Sequence, residues 1–274
     1  MFVLDIGANK GYFSHDILVH SREARVLAVE PNSNLFKQSL KEIAEVFPDR
    51  FSSDFRALGD SSHRGVLHHV NSRNGQLASL LKLNPNSSGW KREHLEFLDT
   101  DSSIGIEVIT PMDLVKEYGL SDIHFLKIDI QGTDVDVLDS FLECCRIRSG
   151  VIEVDCGFKS GEERYRHSEG NDVNRLFEIL HSKGHKIVKI LPNNESSDEL
   201  NIFFGESVAD ASEIMTKLGL AGNPAFARFW KIQGLGKSSQ DSARKLSRSF
   251  ILKIFQGLLH PIQSLESMLV KLSR

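Results

Sequence analysis

The sequence predicts an α/β fold built on an open, mostly parallel sheet, and three features carry that expectation. Short apolar runs alternate with helical patterns along most of the chain, as crossover helices between parallel strands require. A glycine-bearing bend, Gly7-Ala8-Asn9-Lys10-Gly11, joins the opening apolar run to the first helical pattern. An acid, Glu30, followed by Pro31, ends the second apolar run, where sheets of this kind meet their ligands.

Phe2–Ile6 reads as strand one, Tyr12–His20 as the first helix and Arg25–Glu30 as strand two. Ser33 is placed to cap a helix that runs to Phe47 and stops at Pro48. Asp54–Leu58 is the expected third strand. Ile123–Ile128, apolar apart from His124 and Lys127, is the fourth, with a helix over Thr133–Cys144 and a fifth strand over Val151–Val154. Asn171–Lys183 is helical and closed by Gly184, whose freedom at positive φ suits a C-terminal cap. His185–Leu191 and Leu200–Phe204 are the last two strands. Between strands three and four, residues 59–121 form an insertion. It carries two β pieces, Val66–Val70 and Ile106–Ile109, and a helix with Thr110 as cap and Pro111 in its first turn. The expected division is a domain over 1–206, followed by a helical, basic extension over 207–274.

The chain of 274 residues is long enough to bury a sizeable core, and its 40% hydrophobic and 26% charged residues are ordinary for a globular protein. The net charge of −4 is unevenly spread: residues 228–274 hold nine basic and two acidic side chains, the rest 24 basic and 35 acidic. An acidic body speaks against a nucleic-acid partner. Cys144, Cys145 and Cys156 are odd in number and two are neighbours, so they read as reduced thiols of a cytoplasmic protein. Met1–Asp5 has no basic leader region, and no stretch is long enough to span a membrane. In the tail, Leu246, Phe250, Ile254 and Leu258, then Ile262, Leu265, Leu269 and Leu272, recur at helical spacing among basic residues, with a break at Pro261. That pattern suits a helical hairpin packed on the domain or on a second copy. It also suits a peripheral contact with an anionic membrane.

The bend is read as a nucleoside site. Its glycines let a ligand approach the backbone, and the following helix offers unpaired N–H groups and the positive end of its dipole. Glu30 is placed to accept hydrogen bonds from both ribose hydroxyls. The spacing G-x-x-x-G differs from the dinucleotide fingerprint G-x-G-x-x-G and disfavours a nicotinamide enzyme.

Three blocks carry a family resemblance: D-I-G-A-N-K-G-Y-F-S (5–14) with A-V-E-P-N (28–32), A-L-G-D (57–60), and I-T-P-M-D-L with F-L-K-I-D-I-Q-G-T-D-V-D-V-L (109–138). Over residues 1 to about 205 the chain resembles the FkbM-type methyltransferases. The resemblance implies a Rossmann-like class I methyltransferase fold, with seven strands of which the last is antiparallel. It implies S-adenosylmethionine (SAM) as methyl donor and transfer to a hydroxyl of a small-molecule or glycan acceptor. Asp5, Gly7, Asn9 and Gly11 would line the methionine side, Glu30 would hold the ribose, and Ala57, Leu58 and Asp60 would border the adenine. Ala8 and Pro31 lie inside the same blocks and are counted with them. Two departures stand out. The family's K-I-D-x-E-G reads Lys127-Ile128-Asp129-Ile130-Gln131-Gly132, an amide in place of an acid. Members also commonly carry residues ahead of strand one, so this chain is expected to lack a cofactor lid or to start too far downstream.

Methyl transfer needs alignment and exclusion of water first, and a base second, so the catalytic residue leaves a weak imprint on sequence. Lys127 and Asp129 share one face of strand four, Asp129 at its carboxyl end. They read either as a functional pair or as an ion pair bracing the sheet. His167 is the histidine best placed by topology to act as base, with His68, His69 and His94 as competitors. The basic run around it, Arg164-Tyr165-Arg166-His167, suits an acidic or phosphorylated substrate or a solvated loop. Asp129, Asp134 and Asp155 together would suit Mg²⁺, which remains a secondary expectation with no metal assigned. N- or carboxyl-methylation, and SAM binding without turnover, are the alternatives.

Overall fold

A computed structural model describes residues 1–84, 86–87, 102–155, 163–168, 171–192 and 199–221. They all belong to the first of two compact units, Met1–Leu235; the second, Gly236–Arg274, lies outside the described residues together with the tail pattern, as do Cys156 and His94.

The main sheet is built from β1 (Phe2–Ile6), β2 (Arg25–Val29), β3 (Phe51–Asp54), β8 (Phe125–Ile128), β10 (Ser149–Asp155), β11 (Lys186–Pro192) and β12 (Glu199–Gly205). Its order is β11-β12-β10-β8-β1-β2-β3. Strands β3, β2, β1, β8 and β10 run parallel, and β12 is antiparallel to both its neighbours. This is the seven-stranded sheet with a reversed last strand that the resemblance implies. A small sheet, β4 (Ala57–Leu58), β6 (Ser103–Ile109) and β5 (His63–His68), comes from the insertion, and β7 (Asp122–Ile123) pairs with β9 (Arg146–Ile147).

Helices α1 (Tyr12–His20), α2 (residues 33–46), α3 (Pro111–Tyr118), α4 (Asp134–Cys144), α5 (Val173–Ser182) and α6 (Val208–Lys217) flank the sheet. Central strands covered on both faces read as near-continuous apolar runs rather than alternating ones. Val3, Leu4 and Ile6 of β1 and Phe125, Leu126 and Ile128 of β8 are accordingly buried. One face packs Val3, Val26 and Phe125 against Phe13 and Ile17 of α1, Leu40 of α2 and Ile214 of α6. Each such side chain removed from water contributes about 1.5–3 kcal/mol. No helix among the described residues is long and apolar enough to cross a membrane.

Several boundaries differ from the sequence reading. The third strand is Phe51–Asp54, not Asp54–Leu58, because β2 pairs with Phe51 through Asp54. At that point an Asp54 carboxylate oxygen accepts from Arg56 N (2.9 Å) and turns the chain away. Ala57 and Leu58 then pair with Val108 and Ile109 in the small sheet. Asn32, not Ser33, caps α2, its Oδ1 accepting from Asn34 N at 3.2 Å; a π-turn at Phe36–Leu40 interrupts the helix. Asp172 caps α5, accepting from Asn174 N (2.7 Å) and Arg175 N (3.1 Å). Thr110 caps α3 as expected, in a capping box with Asp113.

Candidate active site

The strand order turns back between β1 and β8, which opens a crevice at their carboxyl ends. A cavity of about 400 Å³ occupies it. Gly7, Ala8, Asn9 and Lys10 of the bend, Glu30 and Pro31, Ala57 and Leu58, and Lys127, Asp129 and Gln131 line its walls. Gly75, Gln76, Ala78 and Leu80 of the insertion line it too. The roof is stitched at both ends: Asn32 Nδ2 donates to Val70 O (2.9 Å), and Ser79 Oγ donates to Gln131 O (2.6 Å).

The bend differs in detail from its sequence reading. Its amides are spent internally: Gly7 N and Ala8 N both donate to Val29 O (3.0 Å), Asn9 N to Glu30, Lys10 N to Asn9 Oδ1 (2.8 Å) and Gly11 N to Ala8 O (2.8 Å). Tyr12 and Phe13, which open α1 with no side-chain cap on that helix, line the cavity. Gly7 lies at φ +75°, and an added Cβ would stand 1.8 Å from Asp129 O, so the tips of β1 and β8 meet only across a glycine. Gly11 (φ +73°) is away from the cavity, where a Cβ would strike Ile43 and Leu40 of α2. Asp60 is exposed and accepts from Ser61 Oγ, also away from the cavity.

Glu30 is buried on the cavity wall, its oxygens accepting from Asn9 N (2.7 Å) and Asn32 N (2.8 Å). Burial pushes its pKa up to about 7, against the pull of those two N–H groups. Each carboxylate oxygen still has a lone pair for a further donor.

Lys127 is equally buried. Its ammonium stands 3.3 Å from Asp5 Oδ1 and 3.7 Å from Asp129 Oδ2, and donates to Gly7 O at 3.0 Å. Burial pulls its pKa down, but Asp5 and Asp129 together outweigh that and hold it above the ordinary value. Asp5 itself is fully buried behind the wall, where it also accepts from Ser14 Oγ at 2.6 Å. A lone buried charge would cost several kcal/mol, so the Asp5–Lys127–Asp129 chain exists as a unit.

At the end of β8 a second polar group forms. Gln131 Nε2 donates to Asp129 Oδ1 (3.0 Å) and to Glu153 Oε1 (3.2 Å), and Tyr165 Oη donates to Gln131 Oε1 (2.9 Å). Burial, then Asp129 and Asp134, raises the Glu153 pKa well above the usual carboxylate range. Sequence reasoning missed Glu153, although an acid in the apolar run Val151-Ile152-Glu153-Val154 is the same signal that singled out Lys127. Tyr165 and Gln76 carry no such signal.

The three aspartates do not gather. Asp134 accepts from Ile130 N (2.7 Å) and Gly132 N (2.9 Å), and burial raises its pKa to about 6. Asp155 faces Arg164, which also pairs with Glu199. Among the described residues no three His, Cys, Asp or Glu side chains are placed to hold a metal. Nor is the 164–167 run a basic patch, since Arg164 is buried between acids. His167 is exposed at φ +65° and does not line the cavity. His68 and His69 are also off the wall, His69 accepting from Leu83 N at 3.3 Å.

The residues present fit a sulfonium nucleoside. They offer an apolar wall at Leu58, Leu67 and Leu80, a carboxylate for a sugar diol, and a polar end at Asn9, Lys127 and Asp129.

The profile of the methyltransferase FkbM domain matches residues 5–187. No curated protein sequence matches the chain. Among solved structures it is similar to a SAM-dependent methyltransferase from Aquifex aeolicus, at 10% identity over 76% of this chain and 82% of that one, with a TM-score of 0.35. It is similar to precorrin-6y C5,15-methyltransferase from Geobacter metallireducens GS-15, at 9% identity over 75% and 79%, TM-score 0.38. It is also similar to an O-methyltransferase family 2 protein from Planctomyces limnophilus DSM 3776 in complex with apigenin, at 10% identity over 75% and 50%, TM-score 0.38.

Proposed function

The chain belongs to the FkbM methyltransferase family, and from that premise we propose that it passes the methyl group of SAM to a hydroxyl oxygen of a small-molecule or glycan acceptor, with Asp129 taking the hydroxyl proton. The observation that carries this reading is the state of Asp129. It is the acid at the tip of β8 that lines the cavity, with a side chain 24% exposed, held by Gln131 on one oxygen and beside Lys127 on the other.

When bound, SAM supplies a methyl group on a positively charged sulfur. Glu30 takes the ribose hydroxyls, and Ala57, Leu58 and Leu67 flank the base. Asn9 and the first turn of α1 meet the methionine end, while Asp5 and Gly11 act from behind the wall. Lys127 anchors Asp129 rather than touching the acceptor. Asp60 and His167 receive no part. An acceptor carboxylate would approach against the carboxylate of Asp129, which supports hydroxyl over carboxyl transfer. We place the protein in the cytoplasm, with the body over 1–206 carrying the chemistry. The basic segment of the 207–274 extension then serves a homodimer contact or an anionic membrane surface.

Label from methyl-tritiated SAM, offered with a panel of polyols, phenols, amines and carboxylic acids, is expected on hydroxyl oxygen. Asp129→Asn should lower that transfer by about 10²–10⁴-fold, the range a positioned base supplies. Label on nitrogen, or an Asp129→Asn enzyme at full rate, would overturn the assignment.

A further inference from the structure

One pair of reactive side chains has no part in the methyl-transfer reading: Cys144 and Cys145, at the end of α4. Cys144 is the last residue of the helix, and Cys145 leaves it in extended backbone. Both sulfurs converge on one carbonyl, Cys144 Sγ donating to Phe141 O at 3.6 Å and Cys145 Sγ at 3.5 Å. The same oxygen accepts the last helical bond, from Cys145 N at 3.0 Å. Both cysteines are half-buried, so a small reagent reaches them. The thiols also bond to each other, which lowers the pKa of Cys144 and raises that of Cys145. The first proton therefore leaves Cys144, and a thiolate is the form that attacks.

We propose that Cys144 and Cys145 form a chelating dithiol site for trivalent arsenic, separate from the cavity. Trivalent arsenic is soft and three-coordinate, so two convergent sulfurs hold it while it keeps one substituent of its own. A tetrahedral zinc ion would need four ligands, and among the described residues no three His, Cys, Asp or Glu side chains are placed to hold a metal. With phenylarsine oxide, the Cys144 sulfur attacks arsenic first and the Cys145 sulfur second. Two As–S bonds form and the As=O bond breaks. Both thiol protons leave with that oxygen as one water, and arsenic stays trivalent. The product is uncharged, which suits a helix C-terminus, where the dipole disfavours thiolate. The charges beside the pair are already matched, Glu143 with Lys183 (3.4 Å) and Arg146 with Glu206 (2.6 Å), so nothing there calls for a charged ligand. Thr133, which lines the cavity, lies about 16 Å away at the other end of α4, so the pair stands outside the methyl-transfer chemistry.

The full chain carrying Cys156→Ser, in which Cys144 and Cys145 are the only thiols, tests this with phenylarsine oxide as the probe. Native mass spectrometry should show one arsenical per chain, gained with loss of one water. The adduct should survive millimolar glutathione, a monothiol, and be released by 2,3-dimercaptopropanol, a dithiol. Cys144→Ser and Cys145→Ser, each added to that chain, should weaken binding by about 10²–10⁴-fold, the gain that a second tethered ligand supplies. Serine is close to cysteine in size and the position is half-buried, so both variants should fold, which circular dichroism checks. If a variant does not fold, the unaltered chain still reads the contrast between the two displacing thiols, with one adduct stable to glutathione expected. Two arsenicals on the Cys156→Ser chain, no adduct stable to glutathione, or full affinity in either folded serine variant would overturn the chelate.

Discussion

On the ribose role proposed for Glu30, one buried carboxyl group couples cofactor binding to pH. Its pKa of about 7 means that near neutrality much of the empty protein holds it protonated. Ribose hydroxyls donate, so they bind the ionised form better, and SAM binding should release a proton. The affinity for SAM, or for its demethylated product, is therefore expected to fall as pH drops below about 7, approaching tenfold per unit for a single proton. Calorimetry in two buffers of different ionisation heat reads the proton directly. Glu30→Gln should bind more weakly and lose the slope; a flat pH dependence in the unaltered protein would remove Glu30 from the site. Its place on the cavity wall was legible in the sequence because an acid at a strand tip of this sheet meets the crevice. Its elevated pKa was not, since that depends on how completely the roof and α2 exclude water.

Elements followed from sequence wherever one partner decides them. The bounds of β1 and α1 match the reading because a run apolar at every position but Asp5 must lie between two other strands, and glycines at positive φ mark the bend that follows. Phe51–Leu58 was misread for the opposite reason. It has no clean alternation, and what ends β3 is a side-chain contact, Asp54 to Arg56, that no periodicity reports. The roof escaped for a related reason: it is held by scattered single bonds from Asn32 and Ser79 rather than by a repeating pattern. Asn32 joins the two levels, capping α2 with its oxygen and holding Val70 with its nitrogen. Asn32→Asp keeps the cap and loses the donor to Val70, whereas Asn32→Ala loses both. Alanine should cost about 1–3 kcal/mol by chemical denaturation. Aspartate sets a carboxylate oxygen against Val70 O at a buried position, so it should cost at least as much in stability, and it should weaken SAM binding because the roof is untied at one end. If both variants bound SAM as the native chain does, the roof would have no part in the site.

Across the whole molecule the buried acids set how stability varies with pH. Glu30 at about 7, Asp134 at about 6 and Glu153 well above its ordinary value all hold protons in the folded state that they would release on unfolding at neutral pH. Where the folded state binds more protons, stability falls as pH rises, so each of the three loses stability from its unfolded pKa up to its folded one. Asp54, Asp122 and Glu206, paired with arginines and lowered, act the other way only in stronger acid. His68 and His124, lowered first by burial, gain stability as pH rises through the ordinary histidine range, but both are largely solvated and contribute little. The sum places maximal stability of the empty protein near pH 5, with a decline toward pH 8. Glu30 alone accounts for a loss on the order of 3 kcal/mol, or roughly 5–10 °C in Tm for a body of this size. Melting curves at pH 5.5 and 8 should show the greater part of that fall, about 2 kcal/mol of it from Glu30; Glu30→Gln should remove a large part of it, and SAM should restore more at pH 8 than at pH 5.5. A Tm that climbs from pH 5.5 to 8 would mean that the acids around the cavity are solvated, and the closed site built from them would not stand.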